Sequence, residues 1–411
     1  MCFCKRGMTL DRVVTSNLKT ILIDVAMKTI LWMYEKKLNP EDGGTERISD
    51  LIMKGLKERG YKCMGFLEIH KNDNVILYGN QQIENIYAFL KENKVDIVIN
   101  QLGYGDWLLK RFYKEGGRKW KNEGGKIITC LHFDPKIPRL TRNLIFHHWI
   151  QKSVIEKIAA LKRYLLAPYY EKREEDSITD VYRYLYEYSD LFVMLSTTHY
   201  KYFKTLLHLK DYSKLRAIPN PLTFPEISSP DALYKKRKQV LVVARMSEYH
   251  KNISFVLKVW NRLDKQKKLS EWQLVLVGDG PDKEEYQEYV NKNSLHNVFF
   301  KGQQSPEKFY EESSIFLMTS PAEGWGLTIT ESLQKGVVPI VMNSSPVFSE
   351  IIDNGINGFL TQDKSLSDLS NTLDKLINNP AMRLKMAEEA LHKASKFTID
   401  SVIDQWEQLL K

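Results

Sequence analysis

The residues best able to do chemistry lie in Glu323-Gly-Trp-Gly-Leu-Thr-Ile-Thr-Glu331, two carboxylates eight positions apart around a Gly-Trp-Gly turn. Gly324 and Gly326 let the backbone approach a ligand closely, and free amides of a helix opening around Trp325, Gly326 and Leu327 favour an anion. Glu323 in the loop and Glu331 about one turn into the helix can both accept hydrogen bonds from sugar hydroxyls. The pattern describes a pocket for a phosphate and a sugar. Arg245-Met-Ser-Glu-Tyr-His-Lys251 adds two cations. Arg245 offers a planar fork and Lys251 a mobile point charge, a pair suited to a diphosphate. Plainer readings stand beside these: Glu331 as an acid stabilised by a helix N-terminus, and Arg245 and Lys251 as surface cations.

Strands must deliver these groups. Uncharged runs at 314–318 and 338–341 bracket the glutamate motif, and 239–244 precedes Arg245. Another, 272–277, runs into Gly278-Asp279-Gly280-Pro281, where Asp279 reads as a turn residue. The block closes with 297–300 as its remaining strand. In the first half the candidate strands include Thr29–Tyr34, Cys63–Leu67, Ile97–Asn100, Ile127–Leu131 and Leu191–Leu195, with helical patterns at Thr45–Arg59 and Ile83–Glu92 between them. Strand-length apolar runs alternating with amphipathic stretches predict parallel sheets covered by helices. Pro219-Asn220-Pro221, Phe224-Pro225 and Ser228-Ser229-Pro230 break the alternation and read as a linker, with Asn220 capping the crossover. Two blocks about a linker imply two doubly wound domains, and such sheets bind ligands at the carboxyl ends of their strands. A site in the cleft between them follows.

A chain of 411 residues is long for one core, so two domains agree with its length. No uncharged apolar run approaches the ~18 residues of a membrane span. Cys2 and Cys4 are too few to hold a metal, and Cys63 and Cys130 read as buried reduced thiols, which fits a cytoplasmic compartment. The net charge of +9 is uneven: Met1 to Asn220 carries 37 Lys/Arg against 26 Asp/Glu, and the rest 23 against 25. The excess peaks at Lys110–Lys114 and Arg118–Lys121. A stretch near Leu144 to Tyr170 mixes aromatics, aliphatics and lysines, and His147-His148 within it reads as packing or surface. Such segments are either a solvated face or a contact with nucleic acid or an anionic membrane surface.

The motifs together resemble retaining glycosyltransferases of family 4, which have the GT-B fold. Beside the two site segments, Leu274–Pro281, Gly43-Gly44-Thr45-Glu46-Arg47, Leu131-His132-Phe133 and Ile218-Pro219-Asn220-Pro221 match the family in order, over roughly residues 28 to 411. The resemblance implies two Rossmann-like domains facing each other across a cleft, with the C-terminal helix crossing back to the N-terminal domain. The expected division is an extension at 1–26, an acceptor-binding domain at 27–220, a linker at 221–235, a nucleotide-sugar domain at 236–396 and a crossover helix at 397–411. It implies catalytic roles for Glu323, Arg245, Lys251 and His132. Donor contacts would come from Glu331, Gly324, Trp325, Gly326, Leu327, Gly43, Gly44, Gly278 and Gly280, with Asp134 towards the acceptor. Trp325 stands where the family usually has Phe, a larger ring that would reshape the sugar pocket.

The activity so implied is transfer of a hexose from a UDP- or GDP-linked sugar to a glycan hydroxyl with retained configuration. The acceptor would be lipid-linked and the product a surface polysaccharide, made on the inner face of the membrane, so the resemblance favours a membrane contact for the basic segments and disfavours nucleic acid. Expelling a nucleoside diphosphate builds charge that a metal or fixed cations must neutralise. No two aspartates lie two apart, so the fixed cations Arg245 and Lys251 are expected to serve without metal or other cofactor. The fold also serves sugar-nucleotide epimerases, and a decayed transferase can persist as a binding module. A nicotinamide enzyme is less favoured, because no Gly-x-Gly-x-x-Gly follows a strand. Met27 opens directly onto the first strand, so deleting residues 1–26 should leave soluble expression intact; loss of soluble protein would refute that expectation.

Overall fold

The computed structural model describes residues 27–41, 43–72, 75–136 and 153–411. The extension at 1–26 and His147-His148 lie outside them. The first domain is built on an eight-stranded sheet: β1 (Thr29–Tyr34), β2 (Lys62–Ile69), β3 (Ile76–Tyr78), β4 (Gln81–Gln82), β5 (Ile97–Asn100), β6 (Lys126–Leu131), β7 (Leu191–Met194) and β8 (Leu215–Ala217). Their order is β4-β3-β2-β1-β5-β6-β7-β8. All pairs are parallel except the β2–β3 and β3–β4 hairpins at one edge. Ile30, Leu31, Trp32 and Met33 of β1 are buried, as a central parallel strand covered on both faces requires.

The second domain carries β9 (Arg237–Val243), β10 (Gln273–Val277), β11 (Val298–Phe300), β12 (Ser313–Met318), β13 (Val338–Met342) and β14 (Phe359–Thr361) in the order β11-β10-β9-β12-β13-β14. All five pairs are parallel. Counted within the domain this is 3-2-1-4-5-6, the doubly wound dinucleotide-binding order. The two facing sheets make a two-domain GT-B architecture.

The sequence pattern located the central strands and the edge strand β11, and missed the short β3, β4, β8 and β14. Runs of two or three residues carry little period to read. The helix expected from Ile83 starts at Ile86, because the Asn85 side chain accepts the Ala88 amide at 3.0 Å and caps it there. Cys63 and Cys130 are buried free thiols on β2 and β6, and burial pushes the Cys63 thiol up to about 11. The basic, aromatic segment 110–121 keeps Lys110, Lys114, Arg118 and Lys119 exposed, and several of its cations pair within the domain. Lys110 pairs with Asp106 at 2.5 Å and Lys121 with Asp190 at 2.8 Å, while Arg118 lies over the Tyr113 ring and Lys119 over that of Tyr87.

The chain crosses between domains twice, and the crossings touch: the Leu222 amide donates to the Phe397 carbonyl at 2.8 Å. After the second crossing, Thr398 caps a helix over Ile399–Leu410 by accepting the Ser401 amide. Its Val402, Ile403, Trp406 and Leu410, at helical spacing, join the first domain's core. They pack on the Gly44–Glu58 helix, where a Cβ on Gly55 would sit 2.6 Å from Ile403. Arg59 ties the two helices through Asp400, Asp404 and Glu407 at 3.0–3.3 Å. Ile403→Ala should cost about 2–5 kcal/mol, the usual range for emptying a buried aliphatic site, read as a lower denaturant midpoint.

Candidate active site in the inter-domain cleft

In each sheet the strand order reverses at one point, and there the connecting loops part and leave a crevice. In the second domain that point lies between β9 and β12, which lead to Arg245 and Glu323. In the first it lies between β1 and β5, which lead to Gly43-Gly44 and Gln101, with His132 just after β6.

The second domain's wall is shaped by close backbone packing. Gly278 has φ 132°, and a Cβ there would lie 2.0 Å from the Ala244 carbonyl oxygen; one on Gly280 would lie 2.5 Å from that of Met246. The loop after β10 thus nests against the Arg245 loop only as glycine. Arg245 is exposed, and among the described residues its guanidinium makes no hydrogen bond or ion pair, while its carbonyl accepts the Ser247 amide at 2.8 Å. Lys251 ends a short helical turn, Glu248–Lys251, and its ammonium meets Glu323 Oε1 at 2.5 Å. The Thr319 hydroxyl donates to the carbonyls of Lys251 and Asn252 at 3.1 and 3.0 Å. Arg245 and Lys251 share a corner with His250, whose pKa falls through burial and then through these two cations. Glu248, which the sequence pattern passes over, is buried and accepts from the Ser254 hydroxyl and Tyr286 at 2.5 and 3.0 Å, fixing this loop. Asp279 is exposed and held below the usual carboxylate range by Lys283 and its own turn, in keeping with a turn role.

Gly326, at φ 91°, opens the Leu327–Gln334 helix that carries Glu331. Trp325 corrects an expectation. Its ring is buried and lies edge-on to Phe397 at 5.5 Å, inside the second domain's core. The ring lines no sugar pocket, and only the backbone of this residue remains in the loop. Glu331 itself is buried. Its Oε1 accepts from Thr223 at 2.8 Å and Arg47 at 3.2 Å, and its Oε2 from Tyr310 at 3.1 Å. Burial raises the carboxyl pKa, and these three contacts oppose the rise.

The cleft is closed. A Cβ on Gly324 would lie 2.2 Å from the His132 carbonyl oxygen, and one on Gly44 would lie 3.0 Å from Leu327. His132 Nε2 is bonded to Gln101 Oε1. Burial drives the ring's pKa down to about 4. The neutral ring therefore carries its proton on Nε2, leaving the buried, unpartnered Nδ1 as an acceptor. Ser345 Oγ bridges Asp134 Oδ2 at 3.2 Å and the Glu323 carbonyl at 3.3 Å. Glu350 accepts from Ser196 and Thr197 at 2.7 and 3.0 Å. Arg47 was noticed only as the end of the Gly43–Arg47 motif, with no site role, and Thr223, Tyr310, Ser345 and Glu350 carried no local signal at all. Each of these four is a lone polar residue whose only mark is a partner distant in sequence. Among the described residues no three His, Cys, Asp or Glu side chains are grouped to hold a metal ion.

Two facing doubly wound domains make the GT-B fold, and part of the chain is similar to glycosyltransferases. Residues 223–393 match the family model described as "Glycosyl transferases group 1", which covers most of the second domain. An uncharacterized glycosyltransferase of Haemophilus influenzae is 28% identical over 193 residues, 45% of this chain and 54% of that protein. The amylovoran biosynthesis glycosyltransferase AmsD of Erwinia amylovora is 25% identical over 182 residues, 44% of this chain and 50% of its own. The chain thus spans about half the length of these curated relatives. In fold it is similar to Anabaena Alr3699/HepE, solved with UDP and glucose, at a TM-score of 0.65 and 15% identity, covering 93% of this chain and 99% of that one.

Gly324→Ala should prop the cleft open, because its methyl meets a carbonyl rather than a movable side chain. Small-angle scattering should then give a larger radius of gyration than the wild type; an unchanged value would show that the two loops can part without opening the domains.

Proposed function

We propose that the protein transfers a hexose from a nucleotide diphosphate sugar to a hydroxyl of a glycan acceptor, with retained configuration and without a metal. The observation that carries this is the convergence of Arg245, the Lys251–Glu323 pair and Glu331 at the strand ends of one domain, against His132 and Gly43-Gly44 of the other. Arg245 and Lys251 hold the diphosphate and neutralise the charge that builds on its departing oxygen, helped by the amides at Gly326 and Leu327. Glu331 accepts ribose hydroxyls. Glu323 and His132 position the sugar, and Asp134 faces the incoming hydroxyl. The bond from the anomeric carbon to the phosphate oxygen breaks as the acceptor oxygen bonds to the same face. The hydroxyl proton passes to the departing phosphate, so no carboxylate nucleophile is needed. The closed cleft excludes water, which protects the donor from hydrolysis.

The UDP bound to the Anabaena neighbour supports a uridine donor, and the amylovoran enzyme's name supports a polysaccharide product. A lipid-linked acceptor at the inner membrane face is supported by the Val154–Leu165 helix. Val154, Ile158, Leu161 and Leu165 form an exposed stripe at helical spacing, Ile158 at 63% and Leu165 at 69%, with Lys157 and Lys162 alongside. An apolar stripe flanked by cations fits an anionic bilayer surface. No described helix is long and apolar enough to cross a membrane.

UDP, GDP or ADP at about a hundred times its dissociation constant should add roughly 2.7 kcal/mol to stability, visible as a melting shift. One nucleotide should stand out, and Arg245→Ala should abolish its shift and lower turnover by more than ~100-fold, as loss of an oxyanion donor does. Near-normal turnover in that variant would discard the mechanism. Ile158→Asp should reduce co-sedimentation with vesicles rich in anionic lipid while leaving nucleotide binding unchanged; equal sedimentation would remove the membrane reading.

A further inference from the structure

Glu331 has one contact that neither its own domain nor its own helix explains. Thr223 and Tyr310 belong to the linker and the second domain, and both are neutral hydroxyls. Arg47 comes from the first domain, and among the described residues it is the one cation bonded to Glu331. The reach is set by two helix starts that meet head-on. Gly44 opens one helix and abuts Leu327, which opens the other. About one turn further into each, Arg47 faces Glu331. A methyl on Gly44 would need the end of the Leu327 side chain to give by a few tenths of an ångström. Arg47 keeps 41% of its side chain in solvent while Glu331 keeps 3%, so the guanidinium sits at the mouth of the site and the carboxylate at its floor.

We propose that Arg47 is a donor-site residue lent by the first domain. Its guanidinium balances the buried charge of Glu331, so that the carboxylate remains an acceptor for the ribose hydroxyls of a nucleoside diphosphate, and it couples nucleotide binding to cleft closure. The proposal rests on the reading of Glu331 as the ribose acceptor. An ionised carboxylate has about four acceptor sites, and the three protein contacts leave room for a ligand hydroxyl. A protonated carboxyl must instead donate from one oxygen. Burial pushes Glu331 towards that state, and removing Arg47 leaves only Thr223 and Tyr310 to oppose it. Tyr310 stays neutral throughout, because burial and the Glu331 charge raise its hydroxyl far above its ordinary value. The sign follows: without Arg47 the carboxyl protonates at a higher pH, so nucleotide affinity is lost earlier as pH falls.

The test is calorimetric titration across about pH 5 to 8.5 with whichever of UDP, GDP and ADP stabilises the wild type most. Arg47→Met, Arg47→Lys and Glu331→Ala are compared. Arg47→Met should weaken binding by about tenfold near neutrality, in the range of a hydrogen bond to a charged group, and should move the acid limb of the affinity profile to higher pH. Arg47→Lys, which keeps the charge, should restore the limb and part of the affinity, and it decides the matter if the Met variant does not fold. Wild-type binding in Arg47→Met beside weakened binding in Glu331→Ala would overturn the inference and leave the ribose reading standing. A uniform loss in Arg47→Met with an unmoved acid limb would also overturn charge balance. Wild-type binding in Glu331→Ala would sink the ribose reading itself.

Discussion

The order of parallel strands is the constraint on which everything else depends. A sheet whose order reverses must send the connections of two neighbouring strands to opposite faces, so their loops diverge and leave a crevice no helix fills. The second domain does this between β9 and β12, and the first between β1 and β5. Every cation, carboxylate and glycine of the proposed donor pocket lies in a loop after the carboxyl end of a strand or in the first turns of the helix that follows it. The chemistry is placed by topology before any side chain contributes.

Glycine then decides how near the walls can come. The Gly278 and Gly280 turn fits against the Arg245 loop because no Cβ is present, and Gly324 meets the His132 backbone for the same reason. These are separate uses of one property. The first pair builds the wall of a single domain, whereas Gly324 sets the distance between two.

Much of this was legible in the sequence, for identifiable reasons. Uncharged runs such as Thr29–Tyr34 and Ile97–Asn100 appear as strands over those same residues, because a central parallel strand buried on both faces leaves an unmistakable apolar run. The glutamate motif was equally visible, since its residues lie within one turn and one helix start. What could not be read was whatever depends on a partner distant in the chain. Trp325 looked like a pocket residue because its neighbours are, yet its ring turns to Phe397, seventy-two positions on. The cations of 110–121 looked available for a surface, yet Lys121 is paired with Asp190 and Lys119 lies over the ring of Tyr87. Local pattern fixes position along an element, while only tertiary packing decides which way a side chain faces.

The helix at Ile399–Leu410 bears on how the molecule comes into being. Its Val402, Ile403, Trp406 and Leu410 complete the core of a domain whose strands all precede residue 218. During synthesis that domain emerges from the ribosome with a side of its core uncovered, and the whole second domain must be made before the covering helix arrives. The two domains therefore cannot mature as independent beads on a string. The N-terminal one remains in need of protection until the chain has returned to it, and a cut at the crossover would separate it from part of its own interior.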